Sequence, residues 1–345
     1  MKKYVIALIL GSSFLAANAQ DASKEPYMTK SLASDAIQNV NVETTGGNIS
    51  VAGADANPRV EVYVWASNGR DRNISKEEIK KRLDEDYELT VTSENHKLTA
   101  TAKPKRNFSN WNNHGLSISF KVYVPQNVSS DLRTSGGNIS LTTLTGTQDF
   151  TTSGGNLSIE HLKGHIKGRT SGGNINLNDL QDDIDLSTSG GNITAGKANG
   201  TIKLTTSGGS LVLKELQGSI RASTSGGNVS ANEITGDLSA HTSGGNVRMD
   251  GLSCSLETST SGGNIDVNFK SLGKYVKISN SGGHIDLQVP ASQGMDLKLT
   301  ADRVNATALS GFKGDIKKDR IEGSLNGGGV PVNVNGGSSI NLTLK

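Results

Sequence analysis

The chain has 345 residues, 20% of them charged and 4% aromatic, with 42 glycines and a single cysteine, Cys254. A formal charge of +2 with no basic stripe argues against nucleic acid, and one cysteine excludes an internal disulfide. Few aromatics and many glycines could also suit a disordered chain, but the strict period described below argues for order.

Residues 1–19 read as a secretory signal peptide. Met1-Lys2-Lys3 is a basic start, Tyr4 to Leu15 is mostly apolar, and Ala17-Asn18-Ala19 has the small-x-small form of a cleavage site. Loss of Lys2 and Lys3 takes the 35 basic residues to 33, against 33 acidic ones, so the mature chain is formally neutral. The apolar run is broken by Gly11-Ser12-Ser13 and is short for a bilayer, and no second such run follows. No cysteine stands at the cleavage site to carry a lipid. The expectation is an exported chain, periplasmic, surface-exposed or secreted, with no membrane span once mature.

Residues 20–130 read as a β-rich capping portion. It holds one early repeat, Thr45-Gly46-Gly47-Asn48-Ile49-Ser50-Val51, then strand-like runs at Arg59–Ala66, Tyr87–Thr92, Lys97–Ala102 and Leu116–Val124. Ser75 and Glu78 form a capping box, and Ile79 and Leu83 share a face, which predicts one helix among the strands. Both tryptophans, Trp65 and Trp111, fall in this portion. The polar run Lys103–Gly115 carries Phe108 and Trp111. Aromatics in a polar loop can anchor a sugar or a protein partner. They can equally plug the open end of a repeat stack, and the residues alone leave both roles open.

Residues 131–300 are the regular repeats. Ser-Gly-Gly recurs at Ser135, Ser153, Ser171, Ser189, Ser207, Ser225, Ser243 and Ser261, always 18 residues apart, and again at Ser281 after a step of 20. Thr precedes the first eight, and Asn follows all of these but one, where Ser210 stands instead. Such a period describes near-identical units that cover one another. Within a unit, apolar residues alternate with polar ones around Ile175 and Leu177, and again around Ile184 and Leu186, the period of half-buried strands. Each unit therefore reads as two short strands and two turns around about five inward residues. The glycine pair is expected to supply positive φ, and the Asn to stack on the Asn of the next unit. The outward row Asp149, Lys167, Asp185, Lys203 alternates in sign, as neighbouring strands favour. Residues 301–345 lose the period and regain it in degenerate form at Asn335-Gly336-Gly337-Ser338. The fold class expected is all-β: a parallel β-solenoid with 18-residue coils, capped by the N-terminal portion.

The run Val122-Tyr123-Val124-Pro125, leading into Leu132-Arg133-Thr134-Ser135-Gly136-Gly137-Asn138-Ile139, resembles the bacterial putative-adhesin family of exported β-strand repeat proteins, a domain of unknown function. The resemblance covers nearly all of the mature chain: a V-x-V-P strand, glycine-containing repeats, and a Gly-rich end. The chain departs from it in carrying Gly-Gly-Asn where many relatives have Gly-Asp. The resemblance implies adhesion and brings no catalytic or binding residue.

Chemistry-bearing patterns are weak. A calcium β-roll needs an Asp that the Gly-Gly-Asn turns lack, so no calcium is expected. His161 and His165 lack the further ligands of a zinc site, so no metal or cofactor is expected. Glu215 and Glu233 stack in one row on an exposed turn, which suggests mild repulsion rather than a catalytic pair. The sequence therefore predicts no enzyme but an adhesin-like interaction scaffold, with an envelope or surface protein or a glycan as partner and Phe108 and Trp111 as candidate contacts. Two alternatives stand beside it: a carbohydrate-active β-helix lyase or hydrolase, and a purely structural envelope protein.

Overall fold

The structure is a computed structural model that describes residues 25–54, 56–67, 75–105, 115–307 and 309–345. The predicted signal peptide, Phe108 and Trp111 lie outside the described residues.

Strands appear where side chains alternate between core and solvent. In chain order they begin with β1 (Met28–Ser31), β2 (Asn39–Thr44), β3 (Ile49–Gly53) and β4 (Arg59–Ala66). Helix α1 (Lys76–Asp86) follows, then β5 (Tyr87–Glu94), β6 (Lys97–Pro104), β7 (Leu116–Val124) and β8 (Ser129–Thr134). The repeats supply β9 (Ile139–Thr151), β10 (Leu157–Thr170), β11 (Ile175–Thr188), β12 (Ile193–Thr206), β13 (Leu211–Lys214) and β14 (Gln217–Ser223). They continue through β15 (Val229–Asn232), β16 (Thr235–His241), β17 (Val247–Thr260) and β18 (Ile265–Asn280). The end holds β19 (His284–Val289), β20 (Met295–Thr300), β21 (Arg303–Ala306), β22 (Phe312–Ile316), β23 (Arg320–Leu325), β24 (Val330–Gly336) and β25 (Ser339–Leu344).

Through the repeats every ladder is parallel, and each residue pairs with the one 18 places on. Leu157 pairs with Ile175, and Ile175 with Ile193. Between β17 and β18 the register slips through bulges, where the sequence step lengthens to 20. The result is an all-β parallel stack with a narrow core. One layer of that core is Ile175, Leu177, Leu180, Ile184 and Leu186, all at most 3% exposed. Each such side chain contributes about 1.5–3 kcal/mol on burial, and stacking makes the column continuous.

Two features of the coil differ from the sequence expectation. The first is its path. β9 to β12 run unbroken from one Gly-Gly turn to the next, bending at two further corners rather than one. The first bend is held by a non-glycine residue in the left-handed region: His161, Asp179, Lys197, Glu215 and Glu233, with φ of 49–55°. The second is held by Gly164, Gly200, Gly218 and Gly236, with φ of 110–130°. The second feature is the glycine pair, in which neither residue takes a left-handed φ, so positive φ is not why glycine stands there. The reason is space. A Cβ on Gly173 would lie 1.9 Å from the Gly155 carbonyl oxygen, whereas on Gly172 the nearest atom would be 3.7 Å away. The second glycine of each pair lets one coil settle on the next.

Thr and Asn lock that turn. The Thr188 hydroxyl donates to the Gly173 carbonyl of the previous coil (2.8 Å) and accepts from its own Gly191 N–H (3.2 Å). The Asn174 side-chain oxygen accepts the backbone N–H of Asn192 at 2.8 Å, so the Asn ladder runs from side chain to backbone. Where Ser210 replaces Asn, its hydroxyl takes the same N–H, that of Asn228, at 3.1 Å.

Both ends of the stack are interleaved. β2 lies between β6 and β8, and β3 between β7 and β9, so the first coil is flanked by two later ones. At the other end β24 lies between β18 and β20, and β25 between β19 and β21. Antiparallel strands then cover the outer coils: β4, β1 and β5 at the start, β23 and β22 at the finish. Helix α1 packs on β4, β5 and β7 with Leu83 buried. Its N-cap is Ser75, whose hydroxyl accepts the Glu78 N–H, as the capping box predicts.

Candidate functional site

The alternation that buries Val60, Val62 and Val64 turns Arg59, Glu61, Tyr63 and Trp65 outward on β4. β7 pairs with β4 in antiparallel register, placing Tyr123 opposite Arg59 and Lys121 opposite Glu61. The Arg59 guanidinium lies over the Tyr123 ring at 3.9 Å, and the Lys121 ammonium over the Tyr63 ring at 4.8 Å. Arg59 Nε donates to Glu61 at 2.7 Å, and the Tyr63 hydroxyl donates to the other Glu61 oxygen at 2.8 Å. Burial works to raise the Glu61 pKa, but these two hydrogen bonds outweigh it and hold the carboxyl below its ordinary range. Burial and the bond to Glu61 push the Tyr63 hydroxyl up to about 12. Near neutrality the Glu61 carboxylate and Arg59 guanidinium are thus held charged, and the Tyr63 hydroxyl keeps its proton. The group can bind, through rings and charges already held in place, without paying again to order them.

This array opens onto a longer face. Lys121 stands in register with Ser50, and Tyr123 with Ala52, then with Ser140 and Thr142 on β9 and their equivalents on each coil. The face crosses Ser158 and Glu160, Asn176 and Asn178, Thr194 and Gly196. At Gly196 the row loses its side chain, leaving a hollow of about 330 Å³ edged by Glu160, Asn178 and Lys214. Five strand steps at about 4.8 Å separate Tyr123 from Gly196, roughly 24 Å. Short polar side chains thus run from an aromatic end to a hollow with an acid on one rim and a base on the other.

The broad face on the long strands is different. Its charges are mostly spent on one another: His165 with Asp183 (2.8 Å), Lys203 with Asp185 (3.5 Å) and Lys277 with Glu257 (2.8 Å). At the corner row, His161 Nδ1 lies 2.7 Å from an Asp179 carboxylate oxygen. Glu233 in that row bonds Lys270 at 2.6 Å. Among the described residues no three His, Cys, Asp or Glu side chains converge on a point that could hold a metal ion.

Phe108 and Trp111 lie outside the described residues, between Lys105 and Gly115. Ser67 N–H donates to the Gly115 carbonyl at 2.8 Å, one residue beyond the pairing of Ala66 with Leu116. Sequence reasoning passed over Tyr63, Tyr123 and the Arg59–Glu61 pair. Their signal was the outward alternation Arg59, Glu61, Tyr63, Trp65 in a run already read as a strand.

Residues 178–335 match the family described as Toastrack DUF4097, a domain of unknown function. The match takes in the repeats from β11 onward and the interleaved end as far as β24. Three solved structures align along most of the chain. One is a putative cell adhesion protein from Clostridium sporogenes, at 11% identity over 92% of this chain and 98% of that one, with a TM-score of 0.20. Another is a putative lipid binding protein from Parabacteroides distasonis, at 14% over 91% and 96%, with a TM-score of 0.30. The third is a putative adhesin from Bacteroides fragilis, at 10% over 92% and 96%, with a TM-score of 0.27. No residue correspondence is carried over from scores this low. No curated protein matches the chain.

Proposed function

We propose that the chain is an exported, non-catalytic, adhesin-like scaffold that binds a surface or envelope glycan or protein along the face that begins at Tyr63, Trp65 and Tyr123. The observation that carries this is the ring-and-charge array at the end of that face. Five side chains there are tied to one another before any ligand arrives, and Trp65 stands in the same row. Binding spreads over several coils, because the face is a ladder of short polar groups. Phe108 and Trp111, outside the described residues, are the contacts that the sequence adds to this reading. The sequence features of a leader and of neutral Gly-Gly-Asn turns agree with export and with independence from calcium.

The test is a glycan array and binding to isolated cell envelopes with the purified chain, its Trp65→Ala variant and a Tyr63→Ala/Tyr123→Ala variant. Loss of binding in both variants, with the β-sheet circular dichroism spectrum retained, supports the reading. Binding untouched by both, or reproducible release of sugar products that is abolished in a Glu215 or Glu233 variant, overturns it.

A further inference from the structure

The stack ends on an uncovered strand. The sheet runs from β18 through β24, β20 and β23 to β22, and β22 pairs with β23 alone among the described strands. The turn joining the two sets which of its backbone groups face outward. The Lys317 N–H donates to the Arg320 carbonyl at 2.7 Å, which makes that pair hydrogen-bonded. Hydrogen-bonded and non-bonded pairs alternate along an antiparallel ladder. The bonded pairs are therefore Lys313–Ser324 and Asp315–Glu322, and the backbone groups of Phe312, Gly314 and Ile316 point away from β23. The Phe312 N–H is used by the Leu309 carbonyl at 3.3 Å.

The side chains of this edge fit a copy of themselves. Phe312, Gly314 and Ile316 share the face of the buried Leu325 and Ile321, yet Ile316 is 62% exposed. Lys313 and Asp315 occupy the opposite face, on either side of Gly314. A second β22 laid antiparallel about a two-fold axis through Gly314 brings Ile316 against Phe312 of the copy and Lys313 against Asp315 of the copy. Both contacts occur twice. The outward backbone groups match as well. Gly314 exchanges two bonds with its counterpart, and each Ile316 N–H meets a Phe312 carbonyl, leaving aside the Phe312 N–H already used. The other outermost strands lack this symmetry: β1 and β21 contain no acid, and β5 no base.

We propose that two copies of this chain pair end to end through β22, forming a two-fold dimer with a continuous sheet across the junction. The contact is one strand wide, so the dimer is weak and concentration-dependent. It holds whichever ligand the aromatic face takes, and it doubles the number of such faces per particle.

Sedimentation equilibrium of the purified chain over a concentration series tests this. The expected result is a monomer–dimer equilibrium. Lys313→Glu sets Glu against Asp315 at both contacts and should weaken dimerisation on the order of tenfold to a hundredfold. Lys313→Glu/Asp315→Lys swaps the charges, restores the match and should recover the wild-type constant. Ile316→Lys, at an exposed position, should weaken the dimer without lowering the melting temperature. A chain that stays monomeric throughout its soluble range overturns the proposal. So does a dimer that Lys313→Glu leaves equally tight, since another surface would then be holding it.

Discussion

The two glycines of one turn should respond in opposite ways to the same substitution. A Cβ on Gly227 would sit 2.0 Å from the Gly209 carbonyl oxygen and 2.7 Å from the Ser210 nitrogen, both backbone atoms of the coil below. Relief requires the two coils to separate at that corner by about 1 Å, since non-bonded heavy atoms approach no closer than roughly 3 Å. Separation strains the bond from Gly226 N–H to Ser207 (2.9 Å) and that from the Thr224 hydroxyl to Gly209 (2.7 Å). Each is worth about 1 kcal/mol, and overpacking adds about 1–3 kcal/mol. Gly→Ala also restricts the unfolded chain, which returns about 0.4–1 kcal/mol at either position. Gly227→Ala should therefore destabilise by about 2–4 kcal/mol. On Gly226 the nearest atom would be 3.6 Å away, so Gly226→Ala should change stability by under about 1 kcal/mol. Urea unfolding followed by far-ultraviolet circular dichroism reads both, with the m-value checked because repeat arrays can lose cooperativity. Equal midpoints, or a greater loss in Gly226→Ala, would refute the packing argument.

Three further outcomes follow from the same coils. Ile184→Asp puts an unpaired charge in the column and should cost several kcal/mol. Asp185→Asn loses only the exposed contact to Lys203 and should cost under about 1 kcal/mol, so a shared urea midpoint would show the inward assignment to be wrong. Thr206→Val keeps the shape but leaves the Gly191 carbonyl and the Gly209 N–H without their hydroxyl. A loss of about 1–3 kcal/mol should appear in chemical denaturation, and none should appear for the outward Thr205→Val. Burial pushes the Cys254 thiol up to about 12, against about 8.5 when unfolded. The folded state thus holds a proton that the unfolded chain releases. Stability from this group is complete below about pH 8.5 and declines towards pH 12. Cys254 should resist a thiol reagent until the chain is unfolded, and Cys254→Ala should flatten the alkaline loss; rapid labelling of the native chain would contradict this.

The repeat register was legible because Ser-Gly-Gly marks the same point of every coil, and Ile184 and its equivalents recur with it. The runs Arg59–Ala66 and Leu116–Val124 appear as strands with those bounds, since two-residue alternation of Val, Ile and Phe with polar groups is a local signal. The role of the glycine pair was not legible. Positive φ and close approach both select glycine, and only the neighbouring coil's carbonyl distinguishes them. The corner at His161, Asp179 and Lys197 was hidden for the opposite reason. Its left-handed backbone is held by the ladder rather than by residue type, so its sequence varies freely. Interleaving of the ends was invisible too, because Val40 meets Ser130, ninety positions further on, with no local trace. Part of the candidate face was in view as Trp65, but Tyr63 and Tyr123 acquire meaning only when β4 and β7 lie side by side.

That interleaving changes how the molecule bears load. In an ordinary linear array a tug on either terminus lifts off the last unit, which is held along one edge only. Here β2 and β3 at one terminus, and β24 and β25 at the other, are gripped along both edges by strands from elsewhere in the chain. Pulling from the N-terminal side first frees the short edge strand β1 from β4, but neither there nor at the C-terminal side can the next strand be peeled from an edge. It must drag a strand out from between two others, breaking two rows of hydrogen bonds at once. A pull transmitted through β25, or through β2 once β1 has come away, therefore acts on a strand seated in the interior of the stack.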